Sequence, residues 1–259
     1  MGERLSYRQE STGMNRNTLR LLGLILLTLG MMSRGFLQTR VLGVGAGSEQ
    51  LLKALDLSGG MTAAAVALAL EALESCAVPI FAVLLIDGFQ KTHSFRNYLL
   101  RLLALAAVSE IPYNFAASGK IWDPMSRNPV FSLVLCLIAL YLYRYYAGTG
   151  IKGLTIKIAV FAAAILWAVI FRVQYGVNML VVVTTLWAFR ERITLRNFLG
   201  AAAAVCCCIG NPLYMFSPFG FLLAHHYNGE EGMSVKKFQY ALYPLMLVLI
   251  SAVGTLLFF

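Results

Sequence analysis

This sequence predicts an all-α, polytopic transmembrane helix bundle of about eight to nine spans, and three observations support that expectation. Of the 259 residues, 59% are apolar and only 13% are charged, whereas a soluble domain holds about half and a quarter. The mean hydropathy is +0.73. The apolar residues come in runs close to the ~20 that a helix needs to cross a hydrocarbon core. A chain so poor in polar groups cannot cover its surface against water, so the lipid bilayer is its expected partner and a multi-pass cell-membrane location follows.

The elements can be taken in chain order. Residues 1–17, MGERLSYRQESTGMNRN, read as a mobile polar N-terminal tail, and 18–259 as a single transmembrane domain. The first apolar run starts near Leu19. It lacks a small-residue cleavage site and more spans follow, so it reads as a retained span. Spans are expected near 19–38, 62–88, 97–117, 129–147, 153–171, 175–190 and 238–259. SEQLLKALDL reads as a short surface helix ahead of the Ser58-Gly59-Gly60 break. The region 196–227 is interrupted at Gly210-Asn211-Pro212 and at Pro218, so it forms either one tilted span or two short ones.

Cation placement favours two. With nine spans and a cytoplasmic N-terminus, Arg34, Arg40, Lys53, Lys120, Arg127 and Arg172 fall outside, and the other fifteen of the 21 cations fall inside. Eight spans move Lys236 and Lys237 outside and weaken that bias, which is the signal that orients membrane proteins. The net charge of +9 is dispersed between apolar runs and matches no nucleic-acid reader, so no nucleic-acid partner is expected. Cys76, Cys136 and Cys206 to Cys208 lie in apolar segments without ligand spacing, and HHxxxEE at 225–231 has no zinc spacing. No metal site is expected. His93, His225 and His226 read as solvated or interfacial.

Buried ionisable groups need a separate account, because each costs about 2.5–3.5 kcal/mol at membrane depth on insertion scales. Glu71 and Glu74 stand three apart and share a helix face. Pro79 should bend that helix before Asp87, which precedes Gly88 near the span end. Glu110 sits some thirteen residues beyond Asn97 in AAVSEIPYN, next to Pro112 and Asn114. Pro112 frees a backbone carbonyl, tolerated only where protein or a water-filled cavity satisfies it. SEIPYN therefore reads as the kinked end of a cavity-lining helix.

Residues 81–116, FAVLLIDGFQKTHSFRNYLLRLLALAAVSEIPYNFA, resemble the signature of the TraX family of integral membrane proteins. The pattern is Pro79-Ile80-Phe81, Asp87-Gly88-Phe89, Thr92, Tyr98 to Leu103 and Ser109 to Asn114. Asn128 before an apolar run, Gln174-Tyr175-Gly176-Val177, Tyr227-Asn228-Gly229 and Tyr243-Pro244-Leu245 resemble later parts of the family. The resemblance implies acyl transfer from acetyl-CoA to an amine or hydroxyl of a pilin or envelope glycan acceptor, in the setting of conjugation or the cell envelope. It adds Asn128, Gln174, Tyr175, Asn228 and Tyr243 to Glu74, Arg101 and Asn114 as cavity or substrate-binding candidates. Glu110 and Asp87 are the candidate catalytic bases.

The chain departs from the family pattern where chemistry would be expected. The family usually ends its first span in Asp-His, where this chain has Gly30-Met31. A Gly-Arg pair before the PIF segment is here Glu74-Ser75. YPxH is here Tyr243-Pro244-Leu245-Met246, and an acidic residue before Tyr-Gly is here Gln174. Three readings follow: an acyltransferase with a carboxylate base, a non-catalytic membrane binding or assembly protein, or a small-solute transporter using a broken helix.

Overall fold

The computed structural model describes residues 13–44, 48–55, 60–124, 126–146, 148, 150–231 and 238–258. Most of the polar tail, the Ser58-Gly59 pair and Lys236-Lys237 lie outside the described residues. No strand forms among the described residues, only isolated bridges between Met14 and Tyr227 and between Arg127 and Val173.

Helix α1, Arg16–Met32, opens at Asn15, whose side chain accepts the Thr18 N–H at 2.9 Å, satisfying one of the donors a helix start leaves open. It begins inside the expected tail: the Met14 N–H donates to the His226 carbonyl at 2.7 Å and the Arg16 N–H to Glu230 at 2.8 Å. The helix does not stop near Gln38 either. It continues as a π-helical stretch, Ser33–Val41, with Ser33, Arg34, Gly35 and Gln38 buried. Wide π turns in helices are uncommon and cluster at functional positions. Here the wider turn holds Arg34 and Gln38 inside the bundle. Short α2, Ser48–Ala54, follows, and although expected at the surface it buries Leu51 and Ala54.

The second hydrophobic run is two helices, α3, Met61–Ser75, and α4, Ala77–Lys91, meeting at Cys76. Pro79 has no N–H to give the carbonyl four residues back, so the break falls where the sequence places a bend. Gly220 of α10, Phe219–His225, presses into that break: a Cβ there would overlap the Cys76 carbonyl and crowd Pro79. Helix α5, Phe95–Ser118, starts on Ser94, contains Pro112 and ends at Gly119, whose φ of +71° is the left-handed cap that glycine adopts freely. Thus SEIPYN lies within α5 and the helix continues one turn beyond it. The chain then runs through α6, Val130–Tyr145, α7, Gly150–Ile170, α8, Gly176–Ala188, and α9, Ile193–Cys206. Two short turns, Cys207–Ile209 and Pro212–Phe216, lead to α10. Helix α11, Phe238–Phe258, packs along α5.

Among the described residues, four helical stretches are long and apolar enough to cross a membrane: Arg16–Val41, Met61–Lys91, Phe95–Ser118 and Gly150–Ile170. Val130–Tyr145, Gly176–Ala188, Ile193–Ile209 and Ala241–Gly254 are shorter and equally apolar in character. Helix α7 identifies the solvent. Its most apolar window has hydropathy 2.2, yet only 17% of it is buried in the protein. Such a surface in water would be a large sticky patch; in lipid it is an ordinary one.

The Gly220 contact is with backbone, which has no rotamer to move aside. Gly220→Ala is expected to lower stability by about 1–3 kcal/mol through overpacking, read as a lower unfolding midpoint of the purified protein in detergent.

Candidate functional site

Two ends of the bundle gather different chemistry. At the end where α1 begins, Asp87 is 1% exposed and fully engaged. Lys91 Nζ lies 2.9 Å from Asp87 Oδ1, and the Tyr227 hydroxyl donates to Oδ2 at 2.8 Å. Arg16 Nε approaches Oδ2 at 3.9 Å. Burial, and after it the Asp87 carboxylate, push the Tyr227 phenol up, so it keeps its proton and donates. Lys91 also donates to the Gly229 carbonyl at 2.5 Å, while Asn228 reaches the Gly13 carbonyl and Glu230. This is a clasp joining α1, α4 and the segment after α10.

Glu110 is equally engaged, at the other end. Arg127 NH1 lies 2.9 Å from Oε1; Oε2 accepts from Asn128 Nδ2 at 2.8 Å and from the Asn128 N–H at 3.2 Å. Asn128 donates as well to the Ala106 carbonyl at 2.8 Å, and its Oδ1 accepts the Val130 N–H at 2.9 Å, capping α6. Glu110 therefore anchors the loop that aims α6. Ser251 of α11 donates to the carbonyl of Pro112 at 3.4 Å.

A third cluster forms where the π-helical stretch meets α3. Glu74 is 0% exposed, and Arg34 NH2 lies 2.5 Å from its Oε1. Glu74 Oε2 has no hydrogen-bond partner among the described residues, and the carboxylate lies beside Tyr175. It lies against the bare Cα of Gly30, where any side chain would overlap it. Arg34 NH2 also reaches Met31 Sδ at 3.5 Å. Gln38 Nε2 donates to Glu71 Oε1 at 2.5 Å and to Ser33 Oγ at 3.1 Å. The carboxamide of Gln174, oriented by its neighbours, accepts from Arg34 NH2 at 3.0 Å and donates to the Tyr113 hydroxyl. That hydroxyl is 3.1 Å from Ser126 Oγ.

The cluster walls a half-open polar cavity of about 390 Å³, lined by Arg34, Glu71, Ser75, Tyr113, Gln174 and Tyr175, with Arg172, Asn211 and Tyr214 at its sides. Two of its residues, Arg172 (φ +50°) and Tyr175 (φ +58°), are the non-glycine residues with left-handed backbone among the described residues. Bulky side chains adopt that conformation at a cost of order 1–3 kcal/mol, and such positions cluster at functional sites. From the opposite side a narrow passage of about 120 Å³ runs from Arg16, Arg20 and Tyr98 past Leu24, Leu27 and Leu85 to Tyr175 and Tyr243. Along α1 it spans eleven residues, roughly 16 Å at the helical rise. Tyr175 lines both hollows.

Of the residues singled out in the sequence, Glu74, Gln174 and Tyr175 meet in this cluster, and Tyr243, buried, lines the passage beside it. Asn114 is buried with Nδ2 unpartnered among the described residues. Asn128 belongs to the Glu110 knot, and Asp87 and Asn228 to the clasp. Arg101 is exposed on α5, on a face that lines none of these hollows. Arg34, Gln38, Glu71 and Tyr113 complete the cluster and are not among the site candidates that the sequence offers. The i, i+3 spacing of Glu71 and Glu74 carried a signal for one of them. Arg34 was read as an outer-loop cation because π-helical continuation has no local signature. Met246, where the family pattern leads one to expect histidine, accepts from Thr28 at 3.7 Å.

Removing Glu110 takes the carboxylate away from the Asn128 N–H and from Arg127. Glu110→Ala is expected to destabilise by about 3–5 kcal/mol, as broken buried pairs do, seen as a lowered unfolding midpoint, whereas Arg101→Gln should leave that midpoint unchanged.

A family model described as TraX protein matches residues 15–254. No curated protein and no solved structure matches the chain. Matched over nearly its whole length, and built as an apolar helical bundle around a buried polar cluster, the chain belongs to the TraX family.

Proposed function

We propose that this protein is a membrane acyltransferase that moves an acetyl group from acetyl-CoA, entering at the Arg16–Arg20 end, to an amine or hydroxyl acceptor in the polar cavity. In this reading the chain crosses the cell membrane nine times from a cytoplasmic N-terminus. The path of 193–227 supports that count: it leaves the Arg190 end, lines the cavity at Asn211 and Tyr214, and returns to Asp87 at Tyr227. The acceptor class carried by the resemblance is a pilin amine or an envelope glycan hydroxyl. The observation that carries the reading is Tyr175, placed at once on the passage and on the cavity beside Glu74 and Arg34.

The roles follow from the donors each carboxylate faces. Glu110 and Asp87 are each held by a cation, and both serve here as positioning groups. Glu74 holds Arg34. Glu71 lines the cavity and is bonded through Oε1 to the neutral amide of Gln38, so it is the candidate base. The acceptor nitrogen or oxygen attacks the thioester carbonyl carbon while Glu71 takes its proton. Arg34, with the Tyr175 hydroxyl, faces the oxyanion that forms. The C–S bond then breaks, and Glu71 returns the proton to the leaving thiolate, giving the amide or ester and the free thiol. Met31 and Met246, thioethers with no proton to exchange, favour the second reading, a non-catalytic binding protein with the same cavity. The mostly apolar lining of the passage gives no support to the third reading, a small-solute transporter.

Purified protein in nanodiscs with labelled acetyl-CoA and envelope acceptors should transfer label, and Glu71→Gln should slow transfer about 10²–10⁴-fold with an unchanged unfolding midpoint. Absence of transfer by the parent protein across pilin and glycan acceptors would leave the binding reading standing instead.

A further inference from the structure

On the other side of the cavity wall lies a second hollow of different character. It is a groove of about 640 Å³ between α5, α6 and the end of α7, lined by Ile111, Ile121, Trp122, Phe131, Leu135 and Phe171, with Glu110 and Arg127 at its head. The polar cavity and this groove share Val173, and Ser126 faces the first while its neighbour Arg127 faces the second. The wall between them is the bridge in which the Arg127 N–H donates to the Arg172 carbonyl and the Gln174 N–H to the Arg127 carbonyl, each at 3.1 Å. An apolar trough therefore ends within one residue of the polar cluster.

The head of the trough is cationic and aromatic. Arg127 stacks over Trp122, 4.1 Å from the ring centroid, and Trp122 is 61% exposed, as interfacial tryptophans at headgroup depth are. Lys120 and Arg172, both exposed, are chain neighbours of the lining residues Ile121, Phe171 and Val173, with Asp123 the acidic residue in this loop. Arg172 also lines the polar cavity and holds its left-handed backbone at the lip between the two hollows.

We propose that groove and cavity together bind one anionic membrane lipid: its chains lie in the groove, its phosphate rests at Arg172 and Lys120, and its terminal hydroxyl or amine reaches over the bridge toward Glu71. This deepens the transferase reading and rests on it for the acceptor role, since it names the acceptor as an amphiphile delivered sideways from the bilayer. Binding itself does not depend on transfer, so the two can fail separately.

The test uses the full chain in phosphatidylcholine nanodiscs with Trp167→Phe and Trp187→Phe, leaving Trp122 as the fluorophore. Matched small fractions of chain-brominated phosphatidylglycerol or chain-brominated phosphatidylcholine are the probes. Trp122 should be quenched by the anionic probe at concentrations about fivefold lower than by the zwitterionic one, the preference that one nearby cation confers. Arg172→Gln, or Lys120→Gln should the first variant fold poorly, should erase that preference, and Ala107→Leu in the groove floor should weaken quenching by both. Equal quenching by the two probes marks ordinary boundary lipid and overturns the proposal, as does a preference that survives both cation variants. Labelled transfer without lipid preference would retain the enzyme and remove the lipid acceptor; lipid preference without transfer would do the reverse.

Discussion

The ion pair between Arg34 and Glu74 is the constraint around which the rest of this bundle is arranged. Both groups are buried inside the bundle, where water cannot take over for a missing partner. Truncating either one leaves an uncompensated charge, the situation that buried pairs punish most. Several otherwise odd features become intelligible as supports for the pair. The π-helical continuation of α1 brings Arg34 inward. Gly30 leaves room for the Glu74 carboxylate against the helix axis. Gln174 accepts from the same guanidinium and passes the network on to Tyr113. Tyr175 and Arg172 accept an unfavourable backbone conformation to close the wall.

The departures from the TraX pattern have a spatial meaning that the linear sequence hides. Where the family pattern leads one to expect an acid on α1, this chain has Gly30, and Glu74 from α3 fills the same space. An arginine expected at 75 is Ser75, yet Arg34 lines the same cavity. Charge has changed helices while staying in place. The two methionines do not exchange in this way: Met31 touches Arg34 and Met246 touches Thr28, and neither thioether can carry a proton. Among the groups lining this cavity, Glu71 is a carboxylate.

The other carboxylates divide the remaining work. Asp87 closes one end, tying α4 to the start of α1 and the segment after α10. Glu110 closes the other, fixing the loop ahead of α6 and hence the wall between cavity and groove. Each sits among donors from separate elements, so each reads as a joint between helices. Pro79 and Pro112 illustrate the same economy. The first opens a break that Gly220 fills; the second leaves α5 continuous, with α11 laid along it.

By itself the sequence determined the solvent, the helical class and the approximate ends of most helices, because those follow from local composition: long apolar runs, proline and glycine breaks, and charges parked between them. It also marked Glu74 as a buried acid in need of a partner, and the family resemblance added Gln174, Tyr175 and Tyr243. What it could not determine was which partners. Glu110 stood out most in the linear reading, yet its oxygens are spent on Arg127 and Asn128, seventeen and eighteen residues on. Arg34 looked like a loop cation and proved central, forty residues from the acid it meets. Only tertiary structure decided these pairings, for a physical reason. In a low-dielectric interior a charge is defined by what lies within a few ångströms, and that neighbour comes from another helix whose identity no local pattern encodes.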